Sequence, residues 1–297
     1  MFTGWPPPEP KLVVVVEIHA HRAGALSEGM AVHAEQTLPA FARTWSDQRV
    51  VCELDVRFTA DGVAVVFHDP DLRRMTGRRG RVHELDAVAF RALRTDILGT
   101  GPCLEPAATP VPLATLDEVL RLARHHRAGL NVELKNLPGE PGFDATEATA
   151  ERLAAVLRGA RIAPDRLTVQ TFWAPDLAVF SRLLPEFRRS LLVEPGAEAH
   201  AIERALMAGA GALGLAWPVS PEAVRRAHDH SLAVMGYTLN EPAAVREAWS
   251  AGLDVIITDD PAMAQRALGS TRAGRGPRPV RRRGVAARGA TTSGPPR

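Results

Sequence analysis

Two hydrophobic rhythms alternate along the chain. Short runs rich in β-branched residues recur at 12–18, 50–58, 130–134, 167–171, 189–193, 212–216, 232–237 and 253–258. Between them, apolar residues return every three or four positions at 116–126, 145–157, 175–184, 199–208, 221–230, 242–251 and 261–268, as in helices with one buried stripe. Several of these stretches carry proline in the first turn, where its missing N–H costs nothing. Eight mostly apolar strands alternating with helices predict an α/β fold of the parallel (β/α)8 TIM-barrel type. An open doubly wound sheet is the rival, but no glycine-rich dinucleotide fingerprint follows the first run.

The rhythm breaks once, between the second and third strands. Residues 59–129 hold a hairpin (turn Ala60-Asp61-Gly62, then 63–67), an arginine-rich loop at 73–81, a short helix near 87–93 and a Pro/Gly-rich loop to Pro112. In a barrel, an excursion leaving the C-terminal end of a strand lands over the active-site face. The expected organisation is an N-terminal extension (1–11), one barrel (12–268) with an insert at about 70–112, and a disordered Arg/Gly/Pro-rich tail (269–297).

Composition changes this picture in two places. With 45% hydrophobic and 24% charged residues among 297, the chain has ample material for a core, which excludes disorder throughout. The net charge of +2 conceals an asymmetry: eight arginines and no acid lie beyond residue 267, so residues 1–267 carry −6. The tail reads as a solvated extension, with weak contacts to nucleic acid or anionic lipid as the alternative; the body shows no nucleic-acid module. The longest apolar run, 12–16, is far short of the ~20 residues that span a bilayer, so no transmembrane segment is expected. Three consecutive prolines near the N-terminus, without a basic lead into an apolar stretch, do not read as a secretory signal. Two cysteines are too few for a disulfide scaffold or a thiolate zinc site, and cytoplasmic placement is the expectation.

The chemistry sits where barrel strands should be apolar. Glu53 and Asp55 are two apart and share one face, as do Asn131, Glu133 and Lys135. The first strand ends in His19-Ala20-His21-Arg22, and His68-Asp69-Pro70 follows the hairpin. Tyr237-Thr238-Leu239-Asn240 and Thr258-Asp259-Asp260-Pro261 close the last two strands. Three carboxylates on adjacent strands repel one another without a cation, and oxygen-only ligands suit Mg²⁺ or Ca²⁺. The alternative is a cluster neutralised by Arg22 and Lys135 alone. Lys135 is one of only two lysines among 36 basic residues, and a compact charge there suits a phosphoryl oxygen. His21 and His68 are the natural acid and base. His19 reads as a core residue, and His125, His126, His228 and His230 as helix-end groups. His-x-His also opens amidohydrolase-like metal sites, but the fifth and sixth strands carry no histidine.

Taken together, these motifs resemble the glycerophosphodiester phosphodiesterases of the cytoplasmic bacterial type. The resemblance rests on His21-Arg22-Ala23, Glu35-Gln36-Thr37-Leu38-Pro39-Ala40-Phe41, and Glu53-Leu54-Asp55-Val56 with Thr59, Asp61-Gly62, Val65-Val66 and His68-Asp69. Glu133-Leu134-Lys135, Tyr237-Thr238-Leu239-Asn240 and Thr258-Asp259-Asp260-Pro261 follow in order. It implies a barrel with a small insert and a divalent cation on Glu53, Asp55 and Glu133. It further implies phosphate contacts from Arg22 and Lys135, and two histidines that exchange base and acid roles. A substrate glycerol hydroxyl would attack phosphorus, and water would open the cyclic phosphate to sn-glycerol 3-phosphate. Glu35 is expected to orient Arg22 or a metal ligand, with direct ligation as the weaker option, while Tyr237 and Asn240 either line the substrate rim or support the residues that act. Ala23 stands where the family has Gly, Gln36 where it has Asn and Tyr237 where it has Trp, and the stretch 22–35 is longer than usual. Two alternatives remain: a lysophospholipase D-like enzyme, which would want an apolar groove at the mouth, and a non-catalytic phosphodiester-binding protein tethered by the tail.

Overall fold

In a computed structural model, which describes residues 16–47 and 50–269, the eight barrel strands lie parallel, each paired with the next. They are β1 (Glu17–Ala20), β2 (Val51–Phe58), β3 (Leu130–Leu134), β4 (Leu167–Thr171), β5 (Arg188–Val193), β6 (Ala212–Ala216), β7 (Ala233–Tyr237) and β8 (Val255–Thr258). Pairing of β1 with both β2 and β8 closes the sheet into a barrel. The helices that follow in turn are α1 (Leu38–Asp47), α2 (Leu116–His126), α3 (Ala148–Gly159), α4 (Ala174–Leu183), α5 (Ala201–Met207), α6 (Pro221–Asp229), α7 (Pro242–Ala251) and α8 (Pro261–Ala267). The main core lies between strands and helices. On β2, Cys52, Leu54 and Val56 face outward into it and meet residues such as Phe41 of α1 and Leu116 and Leu120 of α2.

The register settles what faces inward, because residues paired across parallel strands point the same way. Glu53, Asn131, Thr168 and Arg188 pair in one line, and Asp55, Glu133, Gln170, Ser190, Ala212 and Ala233 in the next. The rows continue through Met235, Val255 and Glu17, and through Ile257 and His19. The barrel interior is therefore polar along β1–β5 and apolar along β6–β8, where Met235, Val255 and Ile257 form a cluster of their own. Gly214 belongs to the apolar side. A Cβ there would stand 2.3 Å from Leu192 Cδ2, so a larger residue would require the Leu192 side chain to move.

Among the described residues the first strand is observed at Glu17–Ala20, and 12–15 of its expected range lie outside them. Other parts of the chain differ from expectation. The helix after β1, α1, is not among the helical stretches singled out; it buries Ala40, Phe41, Thr44 and Trp45. The predicted Pro/Gly-rich loop is instead a two-stranded antiparallel ribbon, Arg94–Thr100 against Cys103–Pro112. A two-stranded ribbon consists of edges alone, so prolines cost it few hydrogen bonds. The insert also has its own small core of Val65, Phe67, Leu72, Met75, Val82, Phe90 and Leu113, with Phe67 edge-on to Phe90 at 6.0 Å between ring centres. The extension (1–11) and, apart from Gly269, the tail (269–297) lie outside the described residues. No described helix is long and apolar enough to cross a membrane.

Candidate active site

Glu53 and Asp55 project from β2 and Glu133 from β3, each at most 5% exposed. One oxygen from each lies within 4.8 Å of the others. Burial and neighbouring negative charge make the ionised state costly, so the Glu53 carboxyl is pushed up to about 8 and Glu133 to about 7. Asp55 goes the other way. Its burial is outweighed by Lys135, His68 and Arg22, which hold it ionised well below the usual carboxylate range.

Each acid is held by specific donors. Gln36 grips Asp55 twice: its Nε2 donates to Asp55 Oδ2 (2.7 Å), and its Oε1 accepts from the Asp55 amide (2.8 Å). Glu53 accepts from the Arg22 backbone amide at 3.0 Å and from Gln170 Nε2 at 3.3 Å. Gln170 is itself fixed by Asn131 Nδ2 at 2.8 Å. Lys135 Nζ stands 3.1 Å from Asp55 Oδ1 and 2.5 Å from Glu133 Oε1. The lysine expected at a phosphoryl oxygen thus pairs here with two of the acids.

The amide that reaches Glu53 comes from a strained turn. Arg22, Ala23 and Gly24 follow one another in the left-handed region, at φ of 47°, 71° and 70°. For Ala23 this conformation is unfavourable, which explains why glycine suits the position. The turn leaves the Arg22 guanidinium 3.2 Å from Glu35 Oε2 and 3.5 Å from Asp55 Oδ2.

Both histidines have a carboxylate behind them. His21 Nδ1 lies 2.6 Å from Asp259 Oδ1, and His68 Nδ1 lies 2.7 Å from Asp69 Oδ1. Such contacts put the proton on Nδ1 and leave Nε2 for chemistry. Asp259 is in turn clamped by Asn240, which donates to Oδ2 at 2.5 Å and accepts from the Asp259 amide at 2.9 Å. The His68 carbonyl accepts from Arg57 Nε at 2.8 Å. Burial opposes the charge on both rings, with different outcomes. At His21 the Asp259 carboxylate wins and proton affinity rises. At His68 burial, with Lys135 and Arg22, outweighs Asp55 and Asp69, and proton affinity falls.

Every candidate named from sequence lies in or beside this site. Asn240 supports Asp259, one of the two places expected for it, and the Tyr237 hydroxyl donates to the Val193 carbonyl at 2.7 Å. Glu35 accepts from both Arg22 and Arg74. His19 is buried as a core residue would be, yet it contacts Glu17 and Asn131. Asp259, Asp69, Gln170 and Arg74 carry roles that the sequence reading left unassigned. Asp259 was within reach, because the alternation Val255, Ile257, Asp259 continues the inward row of β8. Nothing in the spacing of the insert marks Arg74.

Comparison with known proteins places this geometry. The sequence model of the Glycerophosphoryl diester phosphodiesterase family matches residues 21–263. A glycerophosphodiester phosphodiesterase of Bacillus altitudinis is 27% identical over 240 residues, covering 77% of this chain and 90% of its own length. One of Bacillus subtilis (strain 168) is 27% identical over 224 residues, covering 70% and 73%. Among solved structures, a candidate glycerophosphoryl diester phosphodiesterase of Silicibacter pomeroyi DSS-3 is 29% identical with a TM-score of 0.74, covering 86% of this chain and 94% of that one. An Oleispira antarctica phosphodiesterase, solved with the product sn-glycerol-3-phosphate, has the same fold at 23% identity and a TM-score of 0.69, covering 85% and 96%. With a match spanning most of the barrel, the chain belongs to the glycerophosphoryl diester phosphodiesterase family.

Proposed function

We propose that this chain hydrolyses glycerophosphodiesters to sn-glycerol 3-phosphate and an alcohol. The observation that carries the reading is the pair of carboxylate-backed histidines, tuned in opposite directions, beside three buried acids. The acids fit a divalent cation. Their donors are all oxygen and they converge within 4.8 Å. When bound on Glu53, Asp55 and Glu133, Mg²⁺ or Ca²⁺ would offset charge building on the phosphoryl oxygens.

The protein's own groups divide the remaining work. Arg22 and Lys135 bind the non-bridging phosphoryl oxygens and exchange part of their carboxylate pairing for them. His68, kept neutral, takes the proton from the substrate's glycerol hydroxyl at Nε2 as that oxygen attacks phosphorus. His21, kept protonated, delivers a proton from Nε2 to the departing alcohol. In the second step the roles reverse, and water opens the cyclic phosphate. Proximity supplies much of the rate, because the attacking hydroxyl is already tethered to the phosphate. Asp69 and Asp259 keep each Nδ1 protonated throughout, and the Oleispira antarctica product complex suits this outcome.

The test is release of sn-glycerol 3-phosphate from glycerophosphocholine, before and after EDTA, with Mg²⁺ or Ca²⁺ returned. Activity lost on chelation and restored by one cation is the expected result; no release from any glycerophosphodiester would sink the reading. A lysophospholipase D activity is favoured by one observation: Met30 and Val32 after β1, and Leu104 on the ribbon, are exposed apolar residues. Faster turnover of lysophosphatidylcholine than of glycerophosphocholine would select it.

A further inference from the structure

The insert contributes five arginines between residues 73 and 81, and four of them, Arg73, Arg78, Arg79 and Arg81, are exposed. Arg74 is turned inward. It sits on the short helix Arg73–Thr76, which is anchored by buried Met75 and closed by Gly77 at φ 65°. Its Nη2 donates to Glu35 Oε1 at 2.6 Å and to Asp69 Oδ1 at 3.2 Å, while its Nε donates to Asp69 Oδ2 at 2.8 Å. The planar fork spans two carboxylates that serve different parts of the site. Glu35 holds Arg22 at 3.2 Å, and Asp69 holds His68 at 2.7 Å. An unbroken chain therefore runs Arg22–Glu35–Arg74–Asp69–His68.

We propose that Arg74 is a positioning residue through which the insert sets both the placement of Arg22 and the proton affinity of His68. This rests on the reading of His68 as acid–base group and Arg22 as phosphate ligand. The physical argument is one of competition. Asp69 has two kinds of donor, the His68 ring and the Arg74 guanidinium, and a carboxylate shared with arginine accepts less strongly from imidazole. Without Arg74, Asp69 would draw on His68 alone, and His68 would keep its proton to higher pH. The other charges facing His68 are Asp55 from β2, Lys135 beyond β3 and Arg22 after β1. Of these only Arg22 is tied to Arg74, through Glu35, and a loosened Arg22 opposes the His68 charge less, which acts in the same direction. Glu35 would meanwhile lose its shorter partner, leaving Arg22 with one arm of its support.

The experiment compares kcat/KM against pH for the full chain, Arg74→Gln, Arg74→Lys, the exposed control Arg78→Gln, and His68→Ala. Arg74→Gln should lower kcat/KM by roughly 10–100-fold, the usual cost of removing a partner of an active-site group. The low-pH limb of its profile, which reports deprotonation of His68, should move to higher pH. Arg74→Lys, which keeps the charge but cannot grip both carboxylates, should show a smaller shift and a smaller loss. Arg78→Gln should match the unaltered chain. A rate loss in Arg74→Gln with an unmoved limb would make Arg74 a strut and overturn the proposal. Should Arg74→Gln fail to fold, an unmoved limb in Arg74→Lys does the same. The two readings separate cleanly: full activity in His68→Ala removes the acid–base assignment itself, whereas an inactive His68→Ala with an unmoved Arg74→Gln limb removes only the role of Arg74.

Discussion

The two halves of the barrel bore obey different rules. Along β6–β8 the inward positions are Ala212, Gly214, Met235, Val255 and Ile257, packed as barrel interiors usually are. Along β1–β5 they include Glu17, His19, Glu53, Asp55, Asn131, Glu133, Thr168, Gln170, Arg188 and Ser190, with Leu192 an apolar exception on β5. Burying that many polar groups is costly unless they bond one another, and most do. Glu17, His19, Asn131, Gln170 and Glu53 form a line of contacts from the N-terminal end of the bore to the acid cluster. Asn131 Oδ1 and Ser190 Oγ nonetheless lack hydrogen-bond partners. The apolar half supplies stability, and the polar half gives up some of it to hold three carboxylates in one orientation.

Substitutions that exchange the properties of the halves test this contrast. The largest effect belongs to the site itself: His21→Ala should lower activity by roughly 10²–10⁴-fold, the usual contribution of a positioned acid–base group, while its thermal midpoint stays close to that of the unaltered chain. On the apolar side, Ile257→Ala should cost about 2–5 kcal/mol in denaturant unfolding and leave turnover per folded molecule intact. Asn131→Leu on the polar side should act on both stability and activity. It removes an unsatisfied acceptor but leaves the buried Gln170 Oε1 without its donor, so stability should fall by about 1–3 kcal/mol. Activity should fall because Gln170, and through it Glu53, loses its support.

Metal and pH give a subtler version of the same contrast. Glu53 and Glu133, pushed up to about 8 and about 7, bind protons in the folded chain at pH values where the unfolded chain has released them. Stability therefore depends on those protons and falls as pH rises from about 5 towards 8, the sign expected when the native state binds more protons. In EDTA the thermal midpoint should drop across that interval. Saturating Mg²⁺ should flatten the slope and release protons on binding, measurable by calorimetry in buffers of different ionisation enthalpy. A midpoint in EDTA that rises with pH would contradict the crowding of these acids. The smallest effect is expected at Ala23, whose φ of 71° suits glycine better: Ala23→Gly should stabilise by about 0.5–1 kcal/mol.

Much of this was readable in one dimension. The strands at 130–134, 167–171 and 212–216 and the helices at 116–126 and 242–251 match their predicted bounds, because their periodicity is strong and their ends carry clear signals. Thr115, for example, accepts from the Glu118 amide while Glu118 accepts from the Thr115 amide. The ribbon was misjudged because a proline-rich edge carries little local signal.

What the sequence determined by itself is the alternation of elements and the residue types at strand ends, since period-two spacing alone puts Glu53 and Asp55, or Glu133 and Lys135, on one face. What only the tertiary structure decided is who meets whom across the barrel. Asp259 stands behind His21 although 238 positions separate them, and Arg74 joins Glu35 to Asp69 from an insert with no periodicity of its own. Such pairings depend on barrel closure and register, which are properties of the whole packed chain and leave no mark on local spacing.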